Sequence, residues 1–329
     1  MYYLLFILSL IYNLSAGTPF SFIFSGMISL ILLVLIGRTR MLIITGSSLI
    51  LLLLSVLSVE GAFIFYGIST ALLLKIKKPP YRFMLNLIFC IVILSILSGR
   101  SNQSGLLQGL YFKPNNFAVA VSSGVLLLRR LVVRNEISRN VSRFYSAVFL
   151  CAAILTGSRV AILIAIIPYL ELIRKNPLII FALFMFAWVI IEQGLLLNLM
   201  QKLSRRQNIL ADERFIIWSE VFSRLEWLRY ADLKGIEKGL HNTVLFYFTN
   251  LGIIIGAALS GFFLVRTWKS IREFGFLLST SVVLYLNVEV IAYKELWIVL
   301  LFFIAEYNTF RSKKPFLNGS DKAEIQVIN

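Results

Sequence analysis

The sequence has few of the residues that soluble enzymes use to build polar sites. It carries 16 acids against 32 Lys and Arg, one histidine (His241) and two cysteines, Cys90 and Cys151, in 329 residues. Both cysteines lie inside apolar runs, where isolated thiols usually behave as small buried hydrophobes. The predicted outer face lacks an Asp-x-Asp motif, and the chain lacks paired histidines, a cysteine cluster and a phosphate-binding Gly-rich loop. These absences argue against a metal-bridged nucleotide-sugar site and an ATP site, so we expect no metal and no cofactor.

The sequence is instead rich in long apolar runs. Hydrophobic residues make up 59% of the chain and the mean hydropathy is +0.85, whereas a soluble domain has an apolar share of roughly 45–50%. A membrane-spanning helix needs about 20 predominantly apolar residues, which leaves room for about 10–12 spans. We therefore predict an all-α fold: one polytopic transmembrane helical bundle of about 12 spans over residues 1–310, followed by a polar cytoplasmic tail, 311–329.

Apolar runs bounded by charge or by Gly and Pro define the candidate spans. The first run has no basic residue ahead of it, so it is predicted to be a retained span and not a signal peptide. The pair around Glu60 has a second interpretation, in which 42–74 forms one long tilted span. The candidates are 2–16, 19–36, 42–58, 60–74, 83–98, 115–128, 144–156, 160–173, 177–197, 242–264, 275–292 and 296–309.

Charge orients this arrangement and singles out one segment. With the N-terminus in the cytoplasm, 20 of the 32 Lys and Arg fall on the cytoplasmic side, as the positive-inside rule requires of short loops. Eight of the other 12 lie in 198–241, predicted to be extracytoplasmic, together with six acids and His241. Topology does not require a basic cluster on that face, so an anionic ligand explains it better.

Within 198–241, the stretch ADERFIIWSEVFSRLEWLRY has helical periodicity. Phe215, Trp218, Phe222 and Leu225 recur at helical spacing, with Arg214 and Arg224 elsewhere on the helical wheel. This pattern predicts an amphipathic helix that lies along the membrane surface.

Four segments, in this order, resemble the superfamily of O-antigen ligases and O-antigen polymerases, membrane enzymes of envelope polysaccharide synthesis. Together they cover about a fifth of the chain, and their polar ends fall on one predicted side of the membrane. The segments are YFKPNNFAVAVSSGVLLL (111–128), TGSRVAILIAIIP (156–168), ERFIIWSEV (213–221) and HNTVLFYFTNLGIIIGAAL (241–259). The segment between the ninth and tenth predicted spans is short for this superfamily, so acceptor recognition is not carried over.

The resemblance implies glycan transfer from undecaprenyl diphosphate to a hydroxyl group on the periplasmic face of the bacterial inner membrane. It assigns catalytic roles to Arg159, Arg214 and His241. We expect Arg224, Arg205, Arg206, Asn242 and Asn115 to bind the diphosphate or the glycan. The expected partners are the undecaprenyl-diphosphate-linked oligosaccharide, membrane lipids and, as one candidate, a chain-length regulator protein; nucleic acid is not expected.

Each of these residues also has a simpler interpretation. Arg159 follows Ser158 at a predicted helix start, where a cation opposes the helix dipole unless an anion is bound, but it could be an interfacial arginine. His241 has the side chain suited to proton transfer near neutral pH, but it could merely cap a span, and Asn242 could orient the imidazole ring or cap that helix. Arg214 and Arg224 lie ten residues apart, about 15 Å on an unbroken helix, so they would not bind the same phosphate. Arg224 could instead pair with Glu220 on a solvated face, and Arg205 and Arg206 could bind lipid headgroups.

The sequence favours a repeat-unit polymerase and leaves three alternatives open. The first is an O-antigen ligase, which would transfer the glycan to the lipid A core. The second is a transporter or flippase for a lipid-linked anionic substrate, although such a protein should place ionisable groups near the bilayer midplane. The third is a lipid-binding scaffold, for which His241 would be dispensable.

Overall fold

The computed structural model describes residues 1–15, 18, 20–36, 65, 74–76, 78–103, 105–173, 213–231, 242–288, 291 and 294–311. Within these ranges the backbone forms helices joined by loops. The one β-bridge among the described residues joins Ser101 to Leu107. A 3₁₀ turn, Arg272–Phe274, follows the eighth helix. The helices are α1 (Tyr2–Leu14), α2 (Phe20–Ile36), α3 (Tyr81–Ser98), α4 (Pro114–Val133), α5 (Arg139–Thr156), α6 (Arg159–Ile173), α7 (Glu213–Arg224), α8 (Thr243–Ile271), α9 (Phe276–Val288) and α10 (Glu295–Arg311).

The all-α prediction is confirmed over this part of the chain. Each predicted apolar run that falls within it coincides with a helix, with ends that differ by a few residues at most places. Three helices are long and apolar enough to cross a membrane: α3, α4 and α8 with its 3₁₀ extension to Phe274. The predicted runs 42–58, 60–74 and 177–197, and the tail 312–329, lie outside the described residues except for Phe65 and Leu74.

Local sequence explains where several of the helices begin and end. Pro114 occupies the first turn of α4, where its missing N–H costs nothing, as the sequence predicted. Gly157 ends α5 with φ 65°, a left-handed conformation that glycine adopts without strain. The side-chain oxygen of Ser158 accepts a backbone N–H in the first turn of α6. The side-chain oxygen of Asn242 does the same in the first turn of α8, so both residues stabilise a helix start.

The centre of the bundle is formed by α4 and α10. Every residue of α4 from Asn116 to Leu128 is buried, and so is every residue of α10 from Glu295 to Glu306. α4 contacts α3, α5, α6 and α10. Small residues allow this close approach: a Cβ on Gly124 would lie 2.4 Å from the Phe149 ring. Lipid is as apolar as a leucine side chain, so such packing and polar pairs hold membrane helices together.

α4 and α10 run in the same direction, which gives the bundle two distinguishable ends. We call one the Asn13 end, where α1 finishes and α4 and α10 begin; Asn13 there hydrogen-bonds to both Asn116 and Glu295. We call the other the Arg130 end, where Arg130 near the end of α4 forms ion pairs with Glu273 and Glu306.

The Arg130 end is held by a partly buried ionic network. The Arg130 Nη2 atom donates to the Ser270 carbonyl at 3.0 Å, and its guanidinium lies 4.4 Å from the centroid of the Phe303 ring. Glu306 forms a second ion pair with Arg134 and accepts a hydrogen bond from the Tyr81 hydroxyl at 3.0 Å. The network therefore joins α3, α4, α8 and α10 at this end.

Candidate functional site

The loop 99–113 covers the Asn13 end of α3 and α5. The Leu107 N–H donates to the Leu155 carbonyl at 2.9 Å, which ties the loop to the last turn of α5. Gly109 has φ 57°, and a Cβ there would lie 2.2 Å from Ser95 Cβ, so the loop backbone lies directly against α3. These contacts fix Tyr111 at the entry to α4.

A buried polar cluster, the Glu295 cluster, lies beneath this loop. It consists of Asn13, Tyr111, Asn116, Lys294 and Glu295, all buried. Asn13 Nδ2 donates to Glu295 Oε2 at 2.6 Å and to the Asn116 carbonyl at 3.0 Å. The Tyr111 hydroxyl donates to Glu295 Oε1 at 3.1 Å, and Lys294 Nζ donates to Asn116 Oδ1 at 3.2 Å. Three distant parts of the chain meet here: Asn13, the stretch 111–116, and the pair Lys294 and Glu295.

The chemistry of Tyr111 suits this role. Burial and the adjacent Glu295 carboxyl raise the pKa of the phenol well above its ordinary value. The hydroxyl therefore remains protonated and serves as a donor to the Glu295 carboxyl group. Two donors on one buried carboxyl group offset part of the cost of removing it from water.

Sequence reasoning missed the Glu295 cluster. No pattern in the sequence had indicated that Lys294 and Glu295 are buried. The sequence feature that could have indicated the cluster is the position of Asn13 and Glu295 at the ends of apolar runs. Ionisable groups next to membrane spans usually have a polar partner.

Arg159 is the first residue of α6 and is exposed at the Asn13 end. The Ser158 hydroxyl accepts from the Ala161 N–H at 3.4 Å, so Ser158 caps the helix start that the sequence predicted there. The Leu107 to Leu155 bond places the loop 99–113 beside the α5–α6 turn. An exposed guanidinium at a helix start offers an anion both a positive charge and unsatisfied backbone amides.

α7 confirms the first part of the predicted amphipathic helix, which was expected to continue to Tyr230 but ends at Arg224. Val221 is fully buried against Leu245 of α8, and Ile217, Trp218 and Leu225 pack around this pair. Of the residues predicted on the apolar face, Trp218 and Leu225 therefore contact protein, whereas Phe222 is exposed.

Of the two arginines of α7, the structure describes the side chain of Arg224 but not that of Arg214. Arg224 Nη2 lies 2.7 Å from Glu220 Oε1, an exposed pair one helical turn apart. Such exposed pairs contribute little to stability, about 0.3–0.5 kcal/mol, so the pair holds Arg224 only weakly. Arg214 lies in the first turn of α7, and its side chain is outside the described part of the structure.

α8 is broken at Gly252, and residues 225–231 lie against the break. We call 225–231 the inserted segment. The carbonyls of Glu226 and Trp227 accept from the N–H groups of Ile253 and Ile254 at 2.9 and 3.1 Å. The Ala231 N–H donates to the Thr249 carbonyl at 2.7 Å.

Glycine explains why the break occurs at this position. Gly252 has φ 78° and ψ 163°, a conformation essentially restricted to glycine. A Cβ there would lie 3.0 Å from both the Arg229 nitrogen and the Leu228 carbonyl carbon. The break removes the usual helical acceptors of Ile253 and Ile254, and the inserted segment supplies replacements, as buried N–H groups require.

Asn242 and Asn115 lie at the same end of the bundle. Asn242 Oδ1 accepts from the Leu245 N–H at 2.9 Å, so of its two proposed roles the structure shows the helix cap. Thr243 Oγ1 accepts from the Ile291 N–H at 3.1 Å, which places the start of α8 beside the approach to α10. Asn115 is half-buried in the first turn of α4.

Arg159, Asn115 and Asn242 therefore lie at the same end of the bundle, where Val221 of α7 packs against Leu245 near the start of α8. His241, Arg205 and Arg206 lie outside the described residues. What the described groups offer is a set of exposed or half-buried donors at helix starts, an arrangement suited to an anionic ligand. Comparison of the chain with protein-family models, with curated proteins and with solved structures finds no match of any of the three kinds.

Proposed function

We propose that the protein is a membrane glycosyltransferase that acts on undecaprenyl-diphosphate-linked glycan at the periplasmic face, as a repeat-unit polymerase of a surface polysaccharide. One observation carries the proposal. The polar ends of the four segments that resemble O-antigen polymerases and ligases lie at the Asn13 end: the loop before α4, the α5–α6 turn, α7 through its contact with Leu245, and the start of α8.

The proposed chemistry divides between cations and one base. His241 removes the proton of the acceptor hydroxyl, whose oxygen attacks the anomeric carbon of the donor sugar. The bond from that carbon to the diphosphate breaks, and undecaprenyl diphosphate leaves with the electron pair. Arg159 and Arg214 stabilise the negative leaving group. The Asn242 cap orders the turn that follows His241 in the sequence.

The remaining predicted residues have supporting roles in this proposal. Asn115 lies beside the entry to α4 and would contact the glycan. Arg224 would contribute charge to the diphosphate, competing with its pairing to Glu220. Arg205 and Arg206 would bind lipid headgroups or the carrier. The bundle has about 12 spans, with both termini in the cytoplasm, and lies in a bacterial inner membrane.

A complementation series tests the proposal. Arg159→Ala, Arg214→Ala and His241→Ala are expressed in a strain that lacks the gene, and glycan length is measured at equal membrane abundance. Arg139→Ala is the matched control, because Arg139 also follows a serine, begins a helix and is exposed, but lies at the Arg130 end.

We expect each of the three variants to leave glycan one repeat long and the control to make normal chains. Loss of a catalytic base typically reduces the rate by about 10²–10⁴-fold. Arg159→Lys keeps the charge but loses the two-pronged donor geometry, so partial rescue is expected. Normal chain length with Arg159→Ala and His241→Ala would contradict the proposal. Full-length chains that stall on the carrier would favour a ligase.

A transporter of lipid-linked glycan is the second candidate, and two observations favour retaining it. α8 is broken within its apolar length, and Glu295 and Lys294 are buried in the bundle. Broken helices and buried ionisable groups occur at substrate sites of secondary transporters. Purified protein in vesicles distinguishes the two, because movement of the glycan without new glycosidic bonds would indicate transport.

A further inference from the structure

Four large apolar side chains near the end of α7 and in the inserted segment are exposed. Phe222 is 58% exposed, Trp227 69%, Leu228 56% and Tyr230 46%. Three of the four are aromatic, and we call the set the aromatic patch. Three backbone hydrogen bonds fix the inserted segment to α8 on both sides of Gly252, so Trp227, Leu228 and Tyr230 are held on an anchored backbone. Exposed large apolar side chains on a fixed backbone mark an interaction surface.

The length of α8 indicates what covers this surface. α8 is broken at Gly252, and Arg266 is the first charged residue beyond the break. The apolar stretch between them, 253–265, rises about 20 Å, which is less than the roughly 30 Å hydrocarbon core of a bilayer. With Arg266 at the boundary of the Arg130 end, the break lies in the leaflet at the Asn13 end. The carbonyls of Glu226 and Trp227 accept from the N–H groups of Ile253 and Ile254, so the aromatic patch lies beside the same leaflet.

The composition of the patch fits the same location. Trp and Tyr are enriched where the headgroups meet the acyl chains, because each side chain has an apolar ring and one polar group. Arg229 is exposed between Leu228 and Tyr230, and residues 222–230 hold two arginines and one glutamate. A net positive charge suits lipid phosphates.

Only part of the apolar surface of α7 is available for this contact. Val221, Ile217 and Trp218 pack with Leu245 of α8, whereas Phe222 is exposed. We propose that the aromatic patch inserts into the membrane leaflet at the Asn13 end, with Arg229 on lipid phosphate. It anchors the segment between α6 and α8 whatever reaction the protein catalyses.

Tryptophan fluorescence of the full-length protein tests this. The protein is reconstituted in phosphatidylethanolamine and phosphatidylglycerol vesicles whose acyl chains carry bromine, a quencher, near the headgroup. Trp227→Phe is compared with Trp218→Phe, a control of the same residue type that is half-buried against α8. Equal elution and helix content of both variants establish that they are folded.

We expect the loss of lipid-quenchable fluorescence in Trp227→Phe to be at least about twice the loss in Trp218→Phe, because Trp227 is proposed to be an interfacial tryptophan. Three outcomes would overturn the proposal. The first is equal loss in the two variants. The second is quenching of Trp227 by aqueous acrylamide but not by brominated lipid, which places the patch in water. The third is lipid quenching that disappears as the protein-to-lipid ratio rises, which indicates a second copy on the patch.

The charge contact has its own readout. Arg229→Gln should lower the part of the quenching that depends on phosphatidylglycerol, because the guanidinium no longer holds the patch against anionic headgroups. Quenching that keeps the same dependence on phosphatidylglycerol would contradict the phosphate contact.

Discussion

Replacing Gly252 with alanine tests whether the break in α8 depends on a conformation that only glycine adopts easily. Alanine at φ 78° and ψ 163° is strained by about 1–3 kcal/mol. Its Cβ would also lie 3.0 Å from the Arg229 nitrogen and the Leu228 carbonyl carbon, so the inserted segment would have to move. A strain of about 2 kcal/mol changes an equilibrium by about 30-fold.

The strain can be relieved if α8 straightens. Straightening gives up the three hydrogen bonds of the inserted segment, and the N–H groups of Ile253 and Ile254 recover the carbonyls of Thr249 and Asn250. The net loss is one hydrogen bond, about 1 kcal/mol. This loss of about 1 kcal/mol is no larger than the strain of about 1–3 kcal/mol that straightening relieves. We therefore expect Gly252→Ala to release residues 225–231 in a large fraction of molecules.

Hydrogen exchange measured by mass spectrometry, on protein in nanodiscs, detects the release. The amide of Ala231 should lose protection, while the amides of Ile253 and Ile254 keep it within a continuous helix. Gly261→Ala is the control, because a Cβ at that position of α8 meets nothing within 4 Å. It should leave exchange unchanged and slightly stabilise the helix. Unchanged protection of Ala231 in Gly252→Ala would refute the reasoning.

Three further predictions concern stability, each measured as the shift in thermal unfolding in detergent. Gly109→Ala should destabilise more than Gly105→Ala, because both have positive φ but only the Cβ at 109 meets α3; equal shifts would contradict this. Glu306→Ala should cost about 1–3 kcal/mol, because the buried Tyr81 hydroxyl loses its acceptor and Arg130 keeps only one of its two carboxylate partners, Glu273, whereas Glu220→Ala on exposed α7 should cost about 0.5 kcal/mol or less. Glu295→Ala should cost about 1–3 kcal/mol for each of the two buried donors that lose their acceptor, and a shift as small as that of Glu220→Ala would contradict the importance of this cluster.

The helices were predictable because lipid leaves the backbone few alternatives. A chain in hydrocarbon must satisfy its N–H and C=O groups internally, so an apolar run of sufficient length becomes a helix. Cap residues such as Ser158, Pro114 and Asn242 act locally, which is why their roles were readable from the sequence. The position of α7 followed from its periodicity for the same reason.

The features that sequence reasoning missed depend on distant partners. Gly252 lies in an apolar run where glycine is common, and its conformation depends on carbonyls about 25 residues earlier in the chain. Glu295 is buried because Asn13, 282 positions away, donates to it. α7 ends at Arg224 and not at Tyr230, and the residues beyond it bond to Ile253 and Ile254, distant partners that the local pattern does not reveal.

The hydrogen bond from Asn13 to Glu295 has a consequence for how the protein is made. α1 is synthesised first and α10 last among the helices described, so Asn13 enters the bilayer long before Glu295 exists. A nascent chain that stops before α10 also lacks Glu306, so Asn13 then has the Asn116 carbonyl and Arg130 has Glu273 and the Ser270 carbonyl as their acceptors. The polar contacts at both ends of the bundle are therefore completed only when α10 is inserted.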